Sequence, residues 1–158
     1  MPMKKITPFI WLGSTAEEAA RFYCSVFKDS KIISISRYPE GAPEPAGKVM
    51  TVRFRLMGQE FITLNANPPE KLTHAISFSV DCATQREVDY YWRKLSAGGK
   101  EIQCGWLQDK FGVSWQIVPR ILPELLGGDA ERTDRVMRAV MGMKKLDIAQ
   151  MEAAASPQ

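Results

Sequence analysis

Apolar residues alternate with polar ones at the start of the chain. Ile6, Ile10 and Leu12 fall on one face of an extended segment and Thr7, Phe9 and Trp11 on the other, the period of a half-buried strand. Pro8 removes a ladder donor, which suits an edge or a strand start. The period then changes. Thr15-Ala16-Glu17-Glu18 has the spacing of a capping box, in which the hydroxyl takes a free helix amide and the glutamate reaches back. Ala19, Phe22, Tyr23, Val26 and Phe27 follow at three- and four-residue intervals, one apolar stripe of a helix that Asp29-Ser30 ends. Lys31 to Arg37 predicts a second strand, and Pro39 to Gly47, with three prolines and two glycines, a loop. Val49 to Met57 alternates again, with Met50, Val52, Phe54 and Leu56 opposed to Thr51, Arg53 and Arg55. Gly58-Gln59 turns the chain into a strand from Phe61 to Asn65.

Asn67-Pro68-Pro69-Glu70 reads as a linker, and after it the pattern restarts. His74 to Val80 predicts a strand with Ile76, Phe78 and Val80 on one face and Ala75, Ser77 and Ser79 on the other. Thr84-Gln85-Arg86-Glu87 is a second capping box, and Val88, Tyr91, Trp92 and Leu95 stripe the helix that Gly98-Gly99 stops. Lys100 to Gln103 opens the strands that lead to a hairpin spanning Cys104 to Val118. At its tip, Asp109-Lys110-Phe111-Gly112 has Asp where a tight turn starts and Gly where positive φ is needed. The halves match at an offset of about 69 residues: Thr15 with Thr84, Glu18 with Glu87, Phe22-Tyr23 with Tyr91-Trp92, and Lys31-x-Ile33 with Lys100-x-Ile102. Each half reads strand, helix, strand, strand, strand. Beyond Pro119, Ile121 to Leu126 is apolar, Asp129 can cap a helix bearing Val136, Met137, Val140 and Met141, and Asp147 a last one with Ile148 and Met151.

The expected fold is therefore α+β: two tandem βαβββ modules forming a curved sheet, with a helical C-terminal tail. Residues 1–119 make the domain, module 1 covering about 3–66 and module 2 about 73–119, and residues 120–158 pack on it or on a sister chain. At 158 residues, with 45% hydrophobic and 25% charged content, such a domain has a real core. The net charge of +3 is scattered, which points away from nucleic acid and membrane surfaces. Cys24, Cys82 and Cys104 are odd in number and lack a Cys-x-x-Cys pair, as expected in the cytoplasm rather than in a disulfide framework. Ile6 to Leu12 is too short to span a bilayer and runs into a helix cap, not a cleavage site.

Several segments together resemble the vicinal oxygen chelate (glyoxalase/bleomycin resistance/dioxygenase) superfamily, and within it the PhnB-like branch, also called the 3-demethylubiquinone-9 3-methyltransferase-like family. They are Phe9-Ile10-Trp11, Glu17 to Tyr23, Ile76 to Val80, Tyr91-Trp92-x-x-Leu95, the run Gly105 to Gln116 with its Trp-x-x-Asp-Lys-Phe-Gly-x-x-Trp core, and Val136-Met137 with Met143-Lys144-Lys145. In metal-using members, four strands each give one ligand. The resemblance puts those positions at Thr7, Thr63, Ala75 and Gln116, and all four depart from the imidazole and carboxylate pattern. His74 is one residue out of register, which turns it to the opposite face of a strand. No metal and no cofactor are expected. Methyl transfer from S-adenosylmethionine normally sits on a doubly wound sheet with a glycine-rich turn after the first strand. Gly13-Ser14-Thr15 has no further loop glycine, so these residues do not support that activity.

Phe9, Trp11, Arg53, Thr63, Asn65, Ser77 and Gln116 are expected on a concave sheet face, with Trp106 as a further wall. Apolar rings with a few polar groups suit a small-molecule pocket, and Arg53 and Arg55 suit a carboxylate or phosphate. The reading is a metal-free small-molecule binding protein of the cytoplasm, homodimeric because such modules expose sheet edges. The alternatives are a metal-dependent enzyme acting on a small oxygenated or aromatic substrate, with catalytic residues unknown, and a structural partner using the C-terminal helices.

Overall fold

A computed structural model describes residues 5–157; the first residues of the expected module 1 (3 and 4) lie outside them. The chain divides into two compact units, Met1–Lys71 and Leu72–Gln158.

In the first unit β1 (Phe9–Leu12), α1 (Ala16–Val26), β2 (Ser30–Arg37), β3 (Val49–Leu56) and β4 (Gln59–Asn65) follow in the predicted order. The sheet order is β1-β4-β3-β2, with β1 parallel to β4 and the other pairs antiparallel. One face carries Ile10, Leu12, Val52, Phe54, Leu56 and Phe61, all buried. α1 meets it through Ala16, Ala19, Ala20 and Tyr23, which have no exposed surface. The alanines let the helix approach closely, and the Tyr23, Phe54 and Phe61 rings stack in series at 6.0 and 5.6 Å, a geometry worth about 0.5–1.5 kcal/mol per pair beyond area burial.

The capping box expected at Thr15 does not form. Thr15 makes no side-chain cap bond. Asn65, at the end of β4, takes the Ala16 amide on its Oδ1 at 2.8 Å, and the Thr63 hydroxyl donates to the Ala16 carbonyl at 2.9 Å. The helix start is thus fixed by the strand beside it, and Glu18 stays exposed.

The second unit repeats the order with β5 (Phe78–Cys82), α2 (Gln85–Ser96), β6 (Lys100–Glu101), β7 (Trp106–Gln108) and β8 (Ser114–Pro119), in the sheet order β5-β8-β7-β6. Here the box is genuine: Thr84 accepts from the Glu87 amide at 3.2 Å, and Glu87 accepts from the Ala83 amide at 2.7 Å. The strand expected from His74 begins only at Phe78. Before it the chain turns, the Thr73 hydroxyl taking the Ala75 amide at 3.2 Å, a local bond that competes with strand pairing.

The predicted hairpin tip closes as a β-turn, with the Gly112 amide donating to the Asp109 carbonyl at 3.0 Å and Gly112 at φ 90°. Asp109 itself is buried, 3% exposed. Its Oδ1 accepts from the Phe111 and Val113 amides at 2.8 and 3.1 Å, and its Oδ2 from the Trp115 indole at 2.8 Å.

Three helices follow: α3 (Leu122–Leu126), α4 (Ala130–Met141) and α5 (Ile148–Ala155). Asp129 and Asp147 cap the last two as expected. Leu125, Val136, Val140, Leu146 and Met151 form their shared core. Gln85 on α2 ties them to the sheet layer: its amide nitrogen donates to the Leu146 carbonyl at 3.1 Å and its oxygen accepts from the Ile148 amide at 2.8 Å. The Cys104 and Gly105 amides, between β6 and β7, donate to the carbonyls of Met143 and Lys144 at 2.8 Å each. Asp89 pairs with Lys145 at 2.9 Å. Hydrogen bonds from Gln85 and Lys145 hold its carboxyl below the usual range.

Two stability outcomes are expected in urea denaturation. Thr84→Ala should cost about 1 kcal/mol, whereas Thr15→Ala, with no cap bond to lose, should stay within about 0.5 kcal/mol; equal losses would contradict the capping assignment. Asp109→Asn should cost about 1–3 kcal/mol, since an amide nitrogen cannot accept from the Trp115 indole where Oδ2 does now.

Candidate functional site

The open side of the first sheet is laid out by its register. Arg53 stands opposite Ile62, and Ile62 opposite Phe9, so the three form one transverse row across β3, β4 and β1. The next row is Thr51, Leu64 and Trp11; on the other side lie Lys31, Arg55 and Glu60. Members of a row are separated by the strand spacing of about 4.8 Å. Phe9 and Trp11 are 55% and 37% exposed, large rings left uncovered beside the half-buried Arg53. The Trp11 indole is oriented by a 2.9 Å bond to the Ala66 carbonyl. Arg55 is paired with Glu60 at 3.1 Å, whereas among the described residues Arg53 has no acidic partner. Glu60 is 8% exposed, and its Oε2 has no hydrogen-bond partner among the described residues.

Thr63 and Asn65, expected on this face, point to the other side. Thr63 pairs with Val52 and Ile10, which are core residues, and it is fully buried. The Thr63 hydroxyl and Asn65 Oδ1 are committed to α1, and the Asn65 amide nitrogen donates to the Val49 carbonyl at 3.1 Å.

On the open side of the second sheet, Ser79, Gln116 and Trp106 make a row across β5, β8 and β7. The Gln116 amide nitrogen donates to the Ser77 hydroxyl at 2.9 Å. Next to this pair, His74 Nδ1 lies 2.7 Å from Ser114 Oγ. Ser114 is 2% exposed, while His74 is exposed, so the ring is anchored through one nitrogen at the buried start of β8. A strand reading of His74 hides this pair.

The residues do not fit a superfamily-type metal centre. Thr63 is turned toward α1, Ala75 has no donor and sits in the turn before β5, and Gln116 offers a neutral amide already bonded to Ser77. Among the described residues no group of three His, Cys, Asp or Glu could hold an ion, and divalent ions at such centres want imidazole or carboxylate. Thiol chemistry is no better served. Cys82 is fully buried and its thiol is pushed up to about 12 by burial and then by Glu87 and Asp81, so the nucleophilic thiolate is scarce at neutral pH. Burial also raises the Cys24 thiol.

Residues 4–118 match the model of the family described as 3-demethylubiquinone-9 3-methyltransferase. The PhnB protein of Bacillus cereus superposes with a TM-score of 0.67 at 40% identity, covering 73% of this chain and 99% of that one. A protein from Pseudomonas aeruginosa does so at 0.62 with 20% identity, over 74% of this chain and 98% of its own. The fosfomycin resistance protein FosX of Mesorhizobium loti matches in fold, with a TM-score of 0.57 and 12% identity over 81% of this chain and all of that one (100%). No curated protein matches the chain. With two βαβββ modules in the order of the glyoxalase-like fold and a family match over most of its length, the chain belongs to the PhnB-like, 3-demethylubiquinone-9 3-methyltransferase family.

Proposed function

We propose that the chain is a metal-free small-molecule binding protein whose ligand is a small planar anion, held on the open face of the first sheet. The observation that carries this is Arg53: a half-buried guanidinium without an acidic partner among the described residues, in one row with Ile62 and the exposed Phe9 ring. A guanidinium in that setting gains from a carboxylate or phosphate in fork geometry, and Phe9 and Trp11 offer an apolar bed for a ring. On the second sheet, Ser77, Trp106 and Gln116 offer a hydroxyl, a ring and an amide suited to the same class of ligand.

Methyl transfer finds no support in the residues. Gly13 and Ser14 connect β1 to α1 without further glycines, and each sheet is four-stranded and mixed, not doubly wound. No helix of the described residues is long and apolar enough to cross a membrane, and a cytoplasmic location fits the three free cysteines. A homodimer fits two of the four outermost strands, β2 and β6, whose edges a sister chain can cover.

Tryptophan fluorescence with a panel of aromatic carboxylates tests the site. Arg53→Ala should weaken the best binder by about 1.5–3 kcal/mol; a binder that holds the variant as tightly as the wild type would move the site elsewhere. Dialysis against a chelator should leave that affinity unchanged, and a loss restored by a divalent ion would favour a metal-dependent enzyme. Light scattering at micromolar concentration should give twice the chain mass.

A further inference from the structure

A second concavity, of about 260 Å³, opens in the first unit at the end of β1 and β4. It is separate from the open sheet face, and Arg53, Phe9 and Trp11 take no part in it. Its floor is the β1–α1 connection, Gly13 and Ser14, with Asn65 and Asn67 beside it. Tyr38, Lys48 and Val49, where β2 and β3 approach each other, form one wall, and Glu44 from the loop between those strands forms another. The site is built rather than accidental. The loop is closed by reciprocal bonds between Tyr38 and its far end, Tyr38 donating to the Lys48 carbonyl and Gly47 to the Tyr38 carbonyl, both at 2.9 Å. Glu44 is clamped by the Asn67 amide, which donates to its Oε1 at 3.0 Å. A side chain on Gly13 would come within 3.1 Å of Asn67 Oδ1, so the floor is kept clear by the glycine.

The charges on this lining are of both signs and unevenly used. Glu17 is answered by Arg21 at 2.8 Å. Lys48 has no acidic partner among the described residues, and Glu44 has only a backbone amide on one oxygen. A lone anion would meet Lys48 but be repelled by Glu44, and a lone cation the reverse. A molecule carrying both charges answers both residues at once. The volume lies just under the range of about 300–1,000 Å³ for drug-sized ligands, and Tyr38 and Val49 supply a short apolar contact. We propose that this cleft binds a free α-amino acid, its carboxylate on Lys48, its ammonium on Glu44 and its side chain along Tyr38.

The test is a two-dimensional amide NMR titration of the full chain with individual protein amino acids, each up to about 10 mM. At least one should shift the Ser14, Glu17, Lys48 and Asn67 amides in a saturable way. Its N-acetyl and carboxamide derivatives should bind about tenfold more weakly, as should the parent amino acid to Glu44→Gln and to Lys48→Gln. Glu44→Gln keeps an acceptor for the Asn67 amide, so the loop stays closed. Arg53→Ala should leave this binding unchanged, which separates the cleft from the open sheet face. No saturable shift at these amides with any amino acid overturns the proposal. So does equal binding of the blocked derivatives, or wild-type affinity in both charge variants.

Discussion

Asp109 brings a carboxylate into the interior of the second unit, where an ionised group without partners would cost several kcal/mol. It is tolerated because three donors reach it, two backbone amides of the turn and the Trp115 indole. The same bonds decide the geometry around it. They hold the turn in one shape and so fix which residue of β7 stands opposite which of β8: Leu107 opposite Trp115, Trp106 opposite Gln116. A slip of one residue would exchange faces, bringing Trp106 and Gln116 to the helix side and stranding Trp115 and Leu107 outside. β8 also pairs with β5, so the register set at the turn runs through the centre of the sheet.

The first unit has the same strand order and solves its turn differently. Leu56 pairs with Gln59 across two residues, Met57 at φ 47° and Gly58 at φ 86°, the left-handed pair that matches the twist of a hairpin. Among the described residues no carboxylate accepts from the turn amides there. The cross-strand pair beside it is Arg55 with Glu60. What repeats between the units is therefore topology and apolar spacing, while the polar chemistry belongs to each unit separately.

That division explains what could be read from the chain. Strand order, both helices, the hairpin and the capped tail follow from local period and turn residues, which are sequence properties. The two Thr-x-x-Glu boxes look equivalent in sequence, yet only Thr84 caps, because at Thr15 a residue fifty positions away on β4 supplies the acceptor. Thr63 and Asn65 differ from expectation for the same reason: their polarity suggests an open face, but their partner is the first turn of α1, visible only once strand and helix are side by side. Parity alone carried the better signal, since both lie in step with Phe61, a core residue. Among the expected pocket residues, Phe9, Trp11 and Arg53 share the first open face, and Ser77 and Gln116 are bonded to each other on the second. The neighbours of His74 alternate like a strand, and alternation cannot reveal a turn held by Thr73.

The bonds from Cys104 and Gly105 to the segment after α4 give the C-terminal helices a role beyond covering. Cys104 and Gly105 sit at φ 64° and 81°, so the chain there has left the strand conformation and its two amides find their acceptors only in that segment. Gln85 adds the same dependence from the helix side. Detaching the tail would leave donors at the root of the hairpin facing a vacated apolar hollow, where Leu146 now lies so near that a side chain on Gly105 would come within 3.0 Å of it. The tail and the hairpin root are consequently coupled in local unfolding: in native-state hydrogen exchange, the amides of Cys104, Gly105 and Ile148 should share a single opening event.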